Sequence, residues 1–305
     1  MEKNNRFIGI LSGIVAAICY GTNPLGALFL YQEGVNTHTV LGHRFSLAAI
    51  LVGILMLFRK EHFRVTKREL VILISLGLLF AASSMSLYSS FHYMDAGIAS
   101  TLLFVYPLMV ALIMSLFFRE KLTLATLLSI ALAFLGIAML NKTGDGATLN
   151  TTGVLLVMLS SLTYAVYIVI INQTKIKMSP FKMNFYVLIF CLVGIIAHSF
   201  FSLDTHIQVL PSARAWGFAM LLAIMPTFMA LILLTVSIRN VGSTPAAIMG
   251  ALEPLTAVLI GVLVFHEQFS SRLAWGILLV LGGVMLIIVG KDWRWKQIRE
   301  ALRRR

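Results

Sequence analysis

Charge is what this sequence has least of. Only 12% of its 305 residues are Asp, Glu, Lys or Arg, where a water-soluble domain carries about 25%. Hydrophobic residues make up 59%, and the mean hydropathy is +0.92. No water-soluble fold hides that much apolar surface, so the composition implies an all-α polytopic membrane protein. Acids are scarcer than bases, 12 against 24. The net charge of +12 does not point to nucleic acid, because nearly all the bases lie between apolar runs or in the last fifteen residues. There are two cysteines, Cys19 and Cys191, both inside apolar runs, where they cannot staple an exposed loop. His38, His62, His198, His206 and His266 are scattered without metal-ligand spacing, so neither a metal nor a cofactor is expected. A Walker loop and a Gly-x-Ser-x-Gly elbow are both missing, which removes support for ATP-driven transport and for α/β-hydrolase chemistry. A sensor is disfavoured, since no soluble signalling domain is inserted.

What is present is a series of apolar runs near the ~20 residues that a spanning helix needs. Ten are expected, over 7–30, 39–58, 70–91, 97–117, 122–140, 152–171, 183–203, 213–237, 244–265 and 273–289. The first follows Lys3 and Arg6 but leads directly into another run without a small-x-small cleavage site, so it reads as a retained helix.

One stretch occurs twice. DAGIASTLLFVYPLMVALIMSLFFREKLT from Asp95 matches GSTPAAIMGALEPLTAVLIGVLVFHEQFS from Gly242, without a gap and 147 residues apart. Ala99 meets Ala246, Pro107 meets Pro254, Phe118 meets Phe265 and Glu120 meets Glu267. The start of each half echoes more weakly at an offset of 144, with Gly9 on Gly153 and Tyr20 on Tyr164. A period this long is not a solenoid; in an apolar chain it implies two homologous halves, 1–143 and 150–290, followed by a basic tail, 291–305. Placing the N-terminus in the cytoplasm puts twenty of the 24 basic residues on the inside and four, Arg44, Lys142, Arg214 and Arg272, on the outside. Both termini are then cytoplasmic. Five spans per half turn the second half upside down relative to the first, the inverted repeat of secondary transporters, with a site expected at midplane between the halves.

Gly21-Thr22-Asn23-Pro24 in the first run, Arg44-Phe45 opening the second, and the doubled Pro…Glu-x-x-Thr/Ser unit resemble the EamA-type permeases of the drug/metabolite transporter superfamily, over residues 7–290. The resemblance implies a bacterial inner-membrane carrier of small organic solutes (a metabolite, an amino acid or a drug-like compound), often an exporter, with a cavity between its halves. The expected mechanism is secondary active transport by alternating access, with protons as a candidate coupling ion. The alternatives are an uncoupled facilitator and, in another class, a membrane-embedded enzyme acting on a lipid-linked substrate. An enzyme would need acid–base or metal residues clustered at one membrane face, and none is seen.

Glu253 is the sharpest single candidate. It lies near the middle of its run, directly before Pro254, where a charge costs ~2.5–3.5 kcal/mol on insertion scales. Either it binds solute or a coupling proton, or it locks helix packing beside the proline. Its counterpart in the first half is Tyr106, beside Pro107. The prolines Pro24, Pro107, Pro226 and Pro254 are hinge candidates, expected to bend their helices. Ser84, Tyr88 and His92 share one helical face and are expected at a wet cavity, together with Asn23, Tyr20, Tyr164 and Tyr167. Thr227 is expected to bond back into the kink at Pro226. Arg44 and His43 are read as an outer-interface pair, with the arginine snorkelling to a helix or lipid contact or acting as an outer gate. Glu120 and Glu267 are read as helix-end structure, each preceding a hydroxyl, Thr123 or Ser270, that caps the next helix. The tail, with Trp293 and Trp295, is expected to bind anionic lipid. Oligomeric state and solute identity are not legible.

Overall fold

The computed structural model describes residues 2–119, 124–140, 149–174, 178–201 and 206–303, and among them every regular element is a helix. The first half contains α1 (Glu2–Gly21), α2 (Asn23–Gln32), α3 (Thr37–Phe58), α4 (Lys67–Ser90), α5 (Ala96–Leu103), α6 (Tyr106–Phe118) and α7 (Leu124–Leu140). The second contains α8 (Thr151–Thr174), α9 (Pro180–Phe201), α10 (Ala213–Ala223), a π-helical turn at Ile224–Met229, α11 (Ala230–Val241), α12 (Ser243–Gly250), α13 (Leu252–Phe265) and α14 (Ser271–Arg303). Helix starts carry the chemistry their orphan amides require. Asn36 caps α3 by accepting from Thr39 N at 2.8 Å, and Thr66 with Glu69 forms a reciprocal capping box at α4.

Eight continuous stretches are long and apolar enough to cross a membrane, including the joined pairs Asn5–Gln32, Ala96–Phe118, Ala213–Val241 and Pro245–Phe265. The fifth and tenth expected spans are shorter apolar helices, Thr126–Leu140 and Ser271–Leu286. Several spans expected to be single helices are interrupted. The first breaks at Thr22, whose hydroxyl donates to the Cys19 carbonyl at 2.7 Å. Pro24 then sits in the first turn of the new helix, where its missing N–H costs nothing.

The sequence repeat is also a repeat of conformation. The break between α5 and α6 falls at Phe104–Val105, and the break between α12 and α13 falls at Ala251, which is 147 residues after Phe104. Arg119 and His266, the same distance apart, both end their helices in the left-handed region at φ 55°.

Equivalent helices also pack on one another. A Cβ at Gly136 of α7 would lie 2.8 Å from the Gly276 carbonyl of α14, and one at Gly283 would lie 2.8 Å from the Ser129 carbonyl of α7. Gly136 and Gly283 are equivalent, and so are Ser129 and Gly276, so the contact is made twice. Leu140 packs at Gly276 while Ser129 packs at Gly283, so α7 and α14 run antiparallel. The equivalent helices α3 and α9 are antiparallel too: His38 meets His198, and Arg59 lies over the Phe181 ring.

The halves exchange their first helices. α1 packs on α11, α13 and α12 of the second half, and α8 packs on α4, α6 and α5 of the first. Glycine makes the approach possible at both places. A Cβ at Gly9 would stand 2.6 Å from Asn240 Cβ, and one at Gly153 would stand 3.0 Å from Tyr93 Cβ. Tyr93 and Asn240 are again equivalent positions. Close small-residue contacts of this kind replace the hydrophobic drive that lipid does not supply.

Candidate solute cavity

The two equivalent breaks open onto one space. Tyr106 is the first residue of α6 and Glu253 the second of α13, so each starts a half-helix. Pro107 and Pro254 follow at once. They fall in the first turn, where a proline removes only an amide that has no intrahelical partner. The prolines therefore begin new helices, and the expectation that they bend continuous ones is corrected. The carbonyls at the first break find a partner in Ser161, whose hydroxyl donates to Leu103 O at 2.9 Å. A carboxylate in the first turn of α13 also meets the positive end of that helix.

Around these starts lies a cavity of about 400 Å³. Its wall takes Gly13, Ala16, Ala17 and Tyr20 from α1, with Asn23, Arg44, Ser84 and Tyr88 beyond them. Tyr106, Tyr164 and Glu253 complete the polar part, and Phe80, Leu103 and Phe104 the apolar part. Both halves contribute, and among the described residues none of α7, α9 or α14 does. Close packing positions Glu253: a Cβ on Gly21 would lie 2.7 Å from the Glu253 carbonyl. Aromatic contacts order one side. Tyr106 meets Tyr164 edge-on at 4.8 Å between centroids, and Phe80 lies 6.4 Å from Tyr164.

Seven of the ten expected solute or ion residues line the cavity: Glu253, Tyr106, Asn23, Tyr20, Tyr164, Ser84 and Tyr88. Three do not. Tyr167 stacks on Tyr164 at 5.5 Å and is buried behind the wall. His92 lies past the end of α4, over the Tyr31 ring at 4.2 Å, with Nε2 3.2 Å from Thr37 Oγ1. Burial there lowers the pKa of its imidazole. Thr227 lies in the π-helical turn, donates to Leu222 O at 2.9 Å and accepts from Arg44 Nε at 3.0 Å.

Arg44 is the residue that sequence reasoning misplaced. It does not snorkel. It is only 6% exposed and turns inward, donating to Thr227 Oγ1 and to Tyr88 Oη. Its guanidinium stands over the Phe45 and Tyr88 rings at 5.0 and 5.5 Å. Tyr88 Oη donates in turn to Asn23 Oδ1 at 3.1 Å, and Asn23 Nδ2 donates to Tyr20 O at 2.8 Å. One polar chain thus runs from the π-helical turn through α3 and α4 to the break in the first span. The signal was available: the rule that makes an ionisable residue in an apolar run functional applies to Arg44 as it does to Glu253.

Glu267 also departs from expectation. Ser270 caps the following helix, accepting from Leu273 N at 3.1 Å. Glu267 instead reaches the other half, where it accepts from Ala96 N at 2.9 Å and Gly97 N at 3.4 Å at the start of α5. Gly261 makes room for it, since a Cβ there would lie 2.0 Å from Glu267 Oε2. Burial and then the neighbouring Asp95 push the Glu267 carboxyl up to about 7, against the opposing pull of the two amides. Burial likewise raises Asp95. Glu120 and Thr123 lie outside the described residues, as do the side chains of the basic tail.

Apolar helices wrapped round a cavity with polar groups on its wall make the architecture of a membrane transporter. The EamA-like transporter family matches residues 7–142 and 151–289, nearly the whole chain, and the chain belongs to that family. Relatives include the uncharacterized transporter YetK of Bacillus subtilis (strain 168), 22% identical over 86% of this chain and 81% of its own length. An uncharacterized transporter of Archaeoglobus fulgidus is 25% identical over 92% of this chain and 98% of its own. A solved crystal structure shares the fold at a TM-score of 0.66 and 18% identity, covering 91% of this chain and 95% of that one. The protein is thus a multi-pass membrane transporter rather than an enzyme, and its cargo is a small-molecule solute.

Proposed function

We propose that the protein is a secondary carrier that exports a small organic solute by alternating access. The observation that carries this reading is the cavity walled by both halves, with Glu253 and Tyr106 at the starts of equivalent half-helices. The shorter apolar segments Thr126–Leu140 of α7 and Ser271–Leu286 of α14 serve as the fifth and tenth spans, giving two inverted five-helix repeats with both termini in the cytoplasm of a bacterial inner membrane. The antiparallel packing of α7 on α14 and of α3 on α9 supports the inversion. Because α1 and α8 are exchanged, the bodies that rock are α1 with α11–α13 and α8 with α4–α6, not the halves as they run in sequence. Glu253 is the proton-coupling group, and the basic tail rests on anionic lipid.

A comparison of metabolites released by cells with and without the protein identifies the solute. Uptake of that solute into proteoliposomes then tests the mechanism. With an imposed pH gradient the wild type accumulates solute, whereas Glu253→Gln exchanges solute but does not accumulate it. A wild-type rate independent of the gradient makes the protein an uncoupled facilitator and removes the proton role.

A further inference from the structure

The cavity holds a cation with unused hydrogen-bonding capacity. Of the five N–H groups on the Arg44 guanidinium, two have acceptors among the described residues, Thr227 Oγ1 and Tyr88 Oη. Both acceptors are neutral hydroxyls. Among the described residues neither Arg44 nor Glu253 has an ion-pair partner within 4.0 Å, although both line the same cavity. A guanidinium so nearly buried, without a counter-charge in contact, is costly unless something completes its shell. Thr227 and Tyr88 fix its position from two sides, and Phe45 lies beneath it. The other N–H groups lie in the guanidinium plane, whose paired donors carboxylates can accept.

Resting on the carrier reading, we propose that Arg44 is the anchor for the anionic group of the transported solute, which is an organic carboxylate. The body of that solute has an apolar and aromatic surface to lie against, from Phe80, Phe104, Tyr106 and Tyr164. Glu253 is the other charge on the wall, and tyrosines 20, 88, 106 and 164 are its titratable neighbours there. A carboxylate on Arg44 puts two negative charges in a cavity with one positive charge. Removing the charge of Glu253 therefore strengthens the binding that removing the charge of Arg44 abolishes.

The test is binding to the full-length protein in detergent, read by ligand-induced thermal shift and by fluorescence titration. The probes are benzoate and 3-phenylpropionate, their amides, and 2-phenylethylammonium. In the wild type the carboxylates bind and their amides and the ammonium do not. Arg44→Gln weakens the carboxylates about ten- to a hundredfold, as loss of a charge-assisted contact requires, Arg44→Lys weakens them less, and Glu253→Gln tightens them. The inference is overturned if neither carboxylate binds, if the amides or the ammonium bind as well, or if Arg44→Gln lowers stability and leaves affinity unchanged. The wild-type comparison of acid with amide needs no variant to fold. Arg44-dependent binding without transport in proteoliposomes would leave the anchor and remove the carrier; transport of an uncharged solute without carboxylate binding would do the reverse.

Discussion

Glu267 shows how one side chain ties distant parts of the chain. Its carboxyl lies beyond the end of α13, yet its acceptors serve α5 in the other half, and Gly261 is bare so that it fits. The sequence marks the glutamate through its repeat with Glu120 and Ser270 through its capping spacing. The partner helix was not legible, because nothing local says that residue 96 lies near residue 267. The neighbourhood carries a pH signature. Burial and Asp95 raise the Glu267 carboxyl from an ordinary 4.5 to about 7. Between those values the folded protein binds more protons than the unfolded chain, so stability is full below about 4.5 and falls as pH rises through 7. The melting temperature of the purified protein should therefore decline over that window, with Asp95 adding in the same direction. Glu267→Gln should flatten the decline; an unchanged slope would place the titration elsewhere.

At the scale of elements, prolines decide where helices stop and hydroxyls repair what the prolines leave. Pro226 has no N–H to give to the carbonyl four residues back, which is that of Leu222. The helix widens to a π turn there, and the Thr227 hydroxyl donates to that same carbonyl. It also accepts from Arg44, so the repair of one helix positions a cation on another. Thr227→Val leaves two buried groups without partners and should cost about 1–3 kcal/mol. Pro226→Ala in the same chain restores an amide for the Leu222 carbonyl and should recover part of the loss in chemical denaturation. The α7–α14 pair makes a different prediction. Their backbones touch through Gly136, Gly276 and Gly283, and among the described residues neither helix lines the cavity. Gly136→Val overpacks that contact and should cost about 1–3 kcal/mol, while solute affinity, measured by titration, stays at the wild-type value. A loss of affinity equal to that of a cavity variant would contradict the peripheral place of the pair.

For the whole molecule, the proposed orientation rests on charge. With twenty of the 24 basic residues assigned to one side, reporter fusions at the two ends should both be active in the cytoplasm and inactive outside it. Opposite reports from the two ends would require an odd number of spans.

The sequence by itself determined the class, because apolar runs of membrane length have no other solvent. It also displayed the internal repeat and the pairing of Tyr106 with Glu253, because a gapless repeat is visible without coordinates. Seven cavity residues were legible for the same reason: polar groups in apolar runs are costly and must face something. Only the tertiary structure decided that α1 and α8 change places between the halves, that Glu267 serves the opposite half, and that Arg44 faces inward. Those three depend on which backbones approach closely. In lipid that choice is made by small residues and hydrogen bonds between segments far apart in the chain, which local pattern does not record.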